Sequence, residues 1–491
     1  LPRDVVVLNP LGCSFFVFLL RNLKLNKRFT IFTYGCQMNR YDTETITGYL
    51  AEEGYEPSDD PALSDLILLN TCSIRDRAEQ KVFSQLGRLR KLKKNNPDLK
   101  IGVCGCFATR DSAQLVSKGA GVDLVFGTQN ISKLPELLRS LGSGIVCDTA
   151  PVEPDFTELA PIRRGDGLSA YVSIARGCDN FCSFCVVPYT RGPEWSKPSN
   201  SIADEVETAV REGFMEINLL GQNVNSYGKK IESELSFGGL LRRLDRIDGL
   251  KRLRFMTSHP QDCDEDMIDA MAECETVCEH LHLPVQSGGD DVLLRMDRGY
   301  TVEEYLSKVA MFRDRVPGGT ITSDVIIGFP GESEKDFEGT LEVMKEAQFD
   351  NIYMFKYSPR PGTPAESMDG QLPEAEASER FQIAHELQRE ISESLHRELE
   401  GSVVEVLVEG PLAEKPRNQT DKAPGGEHLL QISVPKRFVG HSRGNHRVQF
   451  HMEGPSPRSG ELVDVTVLRS SINNLGGVAL PAGVAMEELA T

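Results

Sequence analysis

From Arg28 to about Ser143, short β-branched and apolar runs alternate with longer stretches of helical period. Residues 29–33, 65–69 and 100–103 read as strands, and residues 76–94 as one of the helices between them. Alternation of this kind predicts a parallel, doubly wound sheet with helices on both faces. Residues 148–167, with Pro151, Pro154, Pro161, Gly165 and Gly167, read as a linker. A second alternation follows, with strands expected at 171–175, 216–220, 252–256, 280–285, 320–327 and 351–357 and helical segments between every pair. Six βα units in about 230 residues predict a partial parallel (β/α)6 barrel with its chemistry at the carboxyl ends of the strands. Beyond a charged helix from Glu374 to about Glu400, residues 403–408, 429–434, 446–450 and 462–468 read as strands without helices, which predicts a small β-barrel.

The expected α/β organisation is thus an extension over 1–28, a doubly wound domain over 29–147, the linker, a barrel domain over 168–400, a β-barrel over 401–470 and a tail over 471–491. A chain of 491 residues, 40% hydrophobic and 26% charged, has material for several cores, which excludes a disulfide-stapled miniprotein or a disordered tail. Its longest apolar run, residues 11–20, is half the roughly 20 residues a membrane span needs, so no membrane partner is expected. That run follows Pro10 and precedes Arg21, Lys24, Lys27 and Arg28, and is read as the remnant of a leader. The net charge of −19 makes any RNA contact local. Twelve cysteines without a secretory signal point to a reducing compartment and to metal binding.

Arg176-Gly177-Cys178-Asp179-Asn180-Phe181-Cys182-Ser183-Phe184-Cys185 follows the first barrel strand. Three thiolates hold three corners of a cubane iron-sulfur cluster and leave the fourth iron open to substrate. The competing reading is a zinc site completed by His259, His280 or His282. A second trio is spread along the first domain: Cys36 in Thr33-Tyr34-Gly35-Cys36-Gln37-Met38-Asn39, Cys72 in Asn70-Thr71-Cys72-Ser73, and Cys106 in Cys104-Gly105-Cys106-Phe107. Each comes just past a strand, and in a doubly wound sheet such loops share one edge, so gaps of 35 and 33 residues are no obstacle to one site. Three buried hydrophobes are the alternative. Cys106, past Gly105 in the turn, is preferred to Cys104, which lies within the strand pattern.

A Cys-x3-Cys-x2-Cys loop with Phe184 just before its last cysteine, opening a six-unit partial barrel, resembles the radical S-adenosylmethionine superfamily. The resemblance implies a 4Fe-4S cluster on Cys178, Cys182 and Cys185, whose open iron chelates S-adenosylmethionine and whose electron cleaves it to a 5′-deoxyadenosyl radical. It further implies that Phe184 packs near the adenine, and that Ile326-Ile327-Gly328-Phe329-Pro330-Gly331-Glu332 is an adenine-contact segment through Ile326 and Gly328. Gln222 and Asn223, at the end of the second strand, are either cofactor contacts or polar strand-end caps.

Both trios, the linker and the terminal barrel together resemble the methylthiotransferase family over residues 29–470. The likeness rests on the Cys36 motif, Val186-Val187-Pro188-Tyr189-Thr190-Arg191-Gly192, Leu219-Leu220-Gly221-Gln222-Asn223-Val224-Asn225-Ser226-Tyr227 and Leu283-Pro284-Val285-Gln286-Ser287-Gly288, which look like its tRNA-modifying branch. The resemblance implies methylthiolation at C2 of N6-isopentenyladenosine beside the anticodon, with the tRNA anticodon stem-loop as partner. A second, auxiliary 4Fe-4S cluster on Cys36, Cys72 and Cys106 would supply or carry the sulfur, and S-adenosylmethionine would act both as methyl donor and as radical source. A one-electron reductant such as flavodoxin or ferredoxin and a sulfur donor or iron-sulfur assembly machinery are implied as further partners. The compartment expected is the cytoplasm, or a mitochondrion or plastid if the leader is a transit peptide. Alternatives are a methylthiotransferase for threonylcarbamoyladenosine or a ribosomal-protein aspartate, and a noncatalytic zinc-containing RNA-binding protein.

The terminal barrel resembles a TRAM domain, a small RNA-binding β-barrel. Residues 415–447 carry seven Lys or Arg against two acids, and Lys436, Arg437, Arg443 and Arg447 are the RNA-contact candidates, with Phe450 read as core. Residues 75–100 are also basic, nine against three, and are read either as a phosphate strip or as a solvated helix face.

Overall fold

The computed structural model describes residues 27–72, 76–118, 121–142, 144–153, 161–165, 167–231, 234–412, 436–452 and 454–479. Cys13 and the rest of the expected leader up to residue 26, the strand expected at 429–434, and Lys415, Arg417 and Lys422 lie outside them. The chain divides into two compact units, one up to Val152 that also takes in Ala160–Arg163, the other holding the rest.

Among the described residues, the first unit holds a six-stranded sheet of β1 (Lys27–Thr33), β2 (Tyr55–Pro57), β3 (Leu66–Thr71), β4 (Lys100–Gly105), β5 (Leu124–Phe126) and β6 (Val146–Asp148). Every pairing is parallel, in the order β2-β1-β3-β4-β5-β6. Side chains alternate between two cores. Ile67, Leu69, Ile101 and Val103 meet Val82, Leu86 and Leu89 on one face, and Leu66, Leu68, Cys104 and Leu124 meet Ile46 and Leu50 on the other. The doubly wound expectation therefore holds for this sheet. Strands β2, β5 and β6 went unread because three residues are too short to show a period. Lys27 and Arg28, placed with the leader, open β1 instead. Strand order reverses between β1 and β3, which opens a crevice at their carboxyl ends.

The second unit carries β7 (Ser169–Ser173), a two-stranded hairpin of β8 (Ala175–Arg176) and β9 (Trp195–Ser196), then β10 (Glu216–Leu220), β11 (Arg252–Phe255), β12 (His280–His282), β13 (Thr320–Ile327) and β14 (Asn351–Lys356). Parallel sheets β7-β10-β11 and β12-β13-β14 are linked by a bridge from Leu253 to Val277. Strand β12 stops at His282, short of the expected 285, since Pro284 has no N–H to offer the ladder. Helices of 13 and 14 residues, Ser199–Arg211 and Glu334–Ala347, pack their apolar faces on one core containing Val172, Ile217, Leu253, Leu281 and Ile321.

Strands β15 (Val403–Pro411), β16 (Arg437–Ser442), β17 (Arg447–Met452), β18 (Leu462–Ser471) and β19 (Asn474–Ala479) close a barrel in the order β15-β16-β17-β19-β18. Residues 474–479 are thus a barrel strand and not the beginning of a tail. Gly476-Gly477 masks its alternation, and the gap is structural: a Cβ on Gly477 would lie 2.2 Å from the Thr466 carbonyl oxygen. Phe450 is core, as expected, packed with Phe438, Val448 and Val465.

This barrel sits against the amino ends of the parallel strands. Arg252 donates to Glu405 Oε1 at 2.8 Å and to the His441 carbonyl at 2.8 Å, while Arg254 joins Glu216 Oε2 (2.6 Å) to the carbonyls of Ser442 (2.6 Å) and Arg443 (2.8 Å). Buried guanidiniums need every N–H answered. They turn the 440–446 segment into a fixed joint, and leave the carboxyl ends of the strands on the opposite side.

Candidate active site

The loop bearing Cys178, Cys182 and Cys185 grows from the β8–β9 hairpin. Gly177 takes φ +77°, and a Cβ there would stand 1.9 Å from the Pro193 carbonyl oxygen, so only glycine lets the loop's arms meet. Cys178 N donates to the Gly192 carbonyl (3.1 Å) and Gly177 N to Gln222 Oε1 (2.6 Å). Ser183 pins the far side, its N–H on the Met296 carbonyl (3.0 Å) and its hydroxyl on that of Arg295 (2.8 Å). Cys178 and Cys182 are buried and Cys185 half-buried.

Burial pushes the Cys178 thiol up to about 12, against a hydrogen bond from the Asn180 N–H and with the neighbouring Cys185 and Cys182 adding to the rise. Burial likewise pushes Cys185 up to about 11, opposed by the Val187 N–H. Each sulfur therefore faces a donor: Asn180 N–H at Cys178, Val187 N–H at Cys185, and Arg298 Nη1 at Cys182, 3.3 Å away. Donors of this kind suit sulfurs that bind iron as thiolates. Among the described residues no three His, Cys, Asp or Glu side chains stand at single-ion spacing. Of the histidines weighed as a fourth ligand, His280 Nε2 and His282 Nδ1 are engaged with Thr322 Oγ1 at 2.8 and 3.0 Å, whereas His259 uses Nδ1 to accept from Gln261 N at 3.2 Å and leaves Nε2 without a partner among the described residues.

Around the loop stand the expected cofactor residues. Phe184 packs edge-on to Phe329 at 6.4 Å, with Ile326 in the same small cluster. Gly328, at φ +76°, donates its N–H to Glu332 Oε2 at 3.1 Å. Gln222 is an anchor of the cysteine loop. Asn223 Nδ2 donates to Asp262 Oδ2 at 2.6 Å, but its Oδ1 has no partner among the described residues. The same is true of Ser258 Oγ and His259 Nε2, all on residues no more than 5% exposed. Asn225 joins the two loops, its Nδ2 on the His259 carbonyl (3.0 Å) and its Oδ1 accepting from His259 N (2.8 Å). Unanswered buried polar atoms are rare, and three at adjacent strand ends fit a polar ligand seated there. Burial, with the Arg298 and Lys229 cations, lowers His259 to about 2 and keeps its ring neutral.

In the first unit, Cys36, Cys72 and Cys106 follow the adjacent strands β1, β3 and β4. Cys36 precedes the 16-residue helix Gln37–Glu52, and Cys106 opens the helix Cys106–Arg110. A Cβ on Gly35 (φ +123°) would fall 2.5 Å from Cys72 Cβ, and one on Gly105 (φ +91°) 2.4 Å from the Thr71 carbonyl oxygen, so two glycines bring the three loops into contact. Cys104, by contrast, lies in the apolar core with Ile46 and Leu50, its thiol raised well above the usual range by burial. Sequence reasoning missed the polar centre of this crevice, Asn39 and Asn70. Asn39 Nδ2 donates to Asn70 Oδ1 (3.1 Å) and to the Thr71 carbonyl (3.0 Å), and its Oδ1 accepts from Cys36 Sγ (3.3 Å). Both asparagines lie within the quoted cysteine motifs, which was the available signal.

The RNA candidates separate. Lys436, Arg437 and Arg447 are exposed, and Arg447 shares Asn474 Oδ1 with Gln449. Arg443 is turned inward instead, paired with both carboxylate oxygens of Glu279 and with the Val277 carbonyl. The tight 442–446 turn faces the parallel strands, so this guanidinium belongs to the joint and not to an RNA-facing surface.

Two family models match the chain: the Radical SAM superfamily over residues 172–344, and the uncharacterized protein family UPF0004 over residues 28–127. The fold is also that of a radical S-adenosylmethionine methyltransferase from Kitasatospora setae, solved with cobalamin and a [4Fe-4S] cluster bound (TM-score 0.54, 17% identity, 70% of this chain and 77% of that one). The chain is thus a radical S-adenosylmethionine enzyme. It is 44% identical to the tRNA-2-methylthio-N(6)-dimethylallyladenosine synthase of Acetivibrio thermocellus, across 90% of this chain and 88% of that one. It is 42% identical to the synthase of that name from Aquifex aeolicus, across 93% and 99%. The chain belongs to the tRNA-2-methylthio-N(6)-dimethylallyladenosine synthase family.

Proposed function

We propose that the chain installs a methylthio group at C2 of N6-dimethylallyladenosine beside the tRNA anticodon. The observation that carries this is the pairing, in one chain, of the Cys178-Cys182-Cys185 loop with the Cys36-Cys72-Cys106 crevice, in a sequence similar to synthases of that name over nine-tenths of its length. C2 of adenine bears a C–H bond that neither a general base nor an ordinary nucleophile opens readily at neutral pH. When bound, the first cluster and S-adenosylmethionine supply the carbon radical this bond requires.

The chain's own residues then have distinct tasks. Cys178, Cys182 and Cys185 hold one 4Fe-4S cluster, and Gln222, Gly177 and Ser183 fix the loop that carries them. Asn223, Ser258 and His259 offer unanswered polar atoms to S-adenosylmethionine, and Phe184, Ile326 and Gly328 border its adenine. Cys36, Cys72 and Cys106 hold the second cluster, whose uncapped corner suits an exchangeable sulfur ligand. The six strands β7 and β10 to β14, consecutive in space, support an open (β/α)6 reading with its mouth at the cysteine loop. Lys436, Arg437 and Arg447 give the terminal barrel a phosphate-facing edge for the anticodon stem-loop, and a one-electron donor and a sulfur source complete the set of partners. No helix among the described residues is long and apolar enough to cross a membrane.

Anaerobic iron, sulfide and zinc analysis tests the reading. About eight irons per chain supports it, and two zincs without sulfide would reject it. Cys36→Ala and Cys178→Ala should each fall to about half the wild-type iron.

A further inference from the structure

Arg298 is buried, and its guanidinium has no carboxylate partner among the described residues. Its three nitrogens are nevertheless all engaged: Nε donates to Tyr300 OH (3.1 Å), Nη2 to the Pro284 carbonyl (3.2 Å), and Nη1 to Cys182 Sγ (3.3 Å). Tyr300 is held in turn, its hydroxyl donating to the Val285 carbonyl at 2.8 Å, with its ring 5.4 Å from the guanidinium carbon. The backbone on either side is also fitted to this place. Asp297 and Gly299 take φ of +56° and +68°, and the Arg295 and Met296 carbonyls are the acceptors that pin Ser183 of the cysteine loop.

A buried cation with only neutral partners is costly, since removal from water takes several kcal/mol that dipoles alone repay poorly. The Pro284 carbonyl cannot ionise and burial raises the Tyr300 phenol further above its usual range, so the partner that carries negative charge is the Cys182 sulfur when it binds iron as a thiolate. We propose that Arg298 is a positioning residue of the loop cluster, serving as the fixed counter-charge of the Cys182 thiolate and favouring the reduced form of the cluster that thiolate binds. The inference rests on the proposed cluster at Cys178, Cys182 and Cys185. One-electron reduction adds one negative charge to the cluster without breaking a bond, so an adjacent immobile cation raises the reduction potential. Arg298 touches neither substrate nor the open iron in this account. It acts on the cluster through its hydrogen bond to Cys182 and through its charge near Cys185, and its orientation is set by Tyr300 and Pro284.

The test is a redox titration of reconstituted full-length protein with dithionite, followed by electron paramagnetic resonance, on Cys36→Ala backgrounds so that the loop cluster is read alone. Arg298→Gln keeps a hydrogen-bond donor and removes the charge. It should make reduction about tenfold less favourable, a shift of about 59 mV to more negative potential for a one-electron couple, and Arg298→Lys should recover most of the difference. An intact cluster in Arg298→Gln at the parent potential would overturn the proposal. If Arg298→Gln fails to load iron, Arg298→Lys decides: near-parental loading and potential support the counter-charge, and failure to load as well would show that the arginine's shape is what matters. Absence of any iron-sulfur signal in the Cys36→Ala parent would instead refute the cluster assignment on which the inference rests.

Discussion

The side chains of Asn39 and Asn70 interlock. Asn39 Nδ2 donates to Asn70 Oδ1 at 3.1 Å, and Asn70 Nδ2 returns a bond to the Asn39 carbonyl at 2.8 Å, both residues being fully buried. Asn39 lies one turn beyond Cys36 and Asn70 two residues before Cys72, so this exchange sets the distance between two cysteines separated by 35 intervening residues. Asn70→Ala leaves Asn39 Nδ2 with one acceptor fewer, at about 1–3 kcal/mol of stability. Its expected effect on function is selective: iron falls toward half, S-adenosylmethionine cleavage continues, and methylthio transfer stops. Iron stoichiometry beside 5′-deoxyadenosine yield checks this, and full iron loading would count against a positioning role for the pair.

A division of labour between the two trios follows from their placement in separate units. Cys178→Ala should abolish S-adenosylmethionine cleavage, whereas Cys36→Ala should retain it and lose transfer. Chromatography of 5′-deoxyadenosine and of digested tRNA nucleosides reads both. Methylthiolated nucleoside at normal yield from Cys36→Ala would contradict the division.

The basic residues of the terminal barrel are expected to fall into two groups. Arg437→Ala and Arg447→Ala should each weaken tRNA binding and reduce the slope of log affinity against log salt by about 1. Arg443→Ala should leave that slope alone and lower thermal stability, because its guanidinium pairs with Glu279 inside the molecule. Filter binding over a salt series and a melting curve distinguish the groups; a reduced salt slope in Arg443→Ala would return it to the RNA surface.

Acid should loosen the same joint through Glu216. Burial alone would raise this carboxyl, but Arg254 outweighs it, helped by the Ser169 hydroxyl, and the net pKa is lowered. A folded value below the unfolded one, about 4.3, contributes stability that is present above that pH and is lost as pH falls through the folded value. Glu216→Gln should therefore cost about 3 kcal/mol at neutral pH and show a shallower decline in stability below about pH 4. Denaturant melts at a series of pH values measure both, and parallel curves for the two proteins would exclude the pair as the acid-sensitive element.

Much of this was legible in the chain because strand-end chemistry has a local signature. Cys36, Cys72, Cys106 and Cys178 each follow a β-rich run at once, and the observed β10 and β13 end at the residues their periodicity indicated. Other parts were not local. Arg298 meets Cys182 across 116 residues, and Arg443 meets Glu279 across 164, so nothing beside either arginine announces its partner. Arg443 was read as an RNA contact since a basic, glycine-rich turn looks the same whether it faces phosphate or a half-buried carboxylate. Strand β19 was hidden by its two glycines, which the close approach of β18 requires.

The central claim is that this chain methylthiolates dimethylallyladenosine in tRNA, and nucleoside mass spectrometry tests it most directly. Purified protein reconstituted with iron and sulfide, given S-adenosylmethionine, a one-electron reductant and tRNA bearing N6-dimethylallyladenosine, should convert that nucleoside to its 2-methylthio form. Unchanged nucleoside, in a preparation that holds about eight irons and cleaves S-adenosylmethionine, would contradict it.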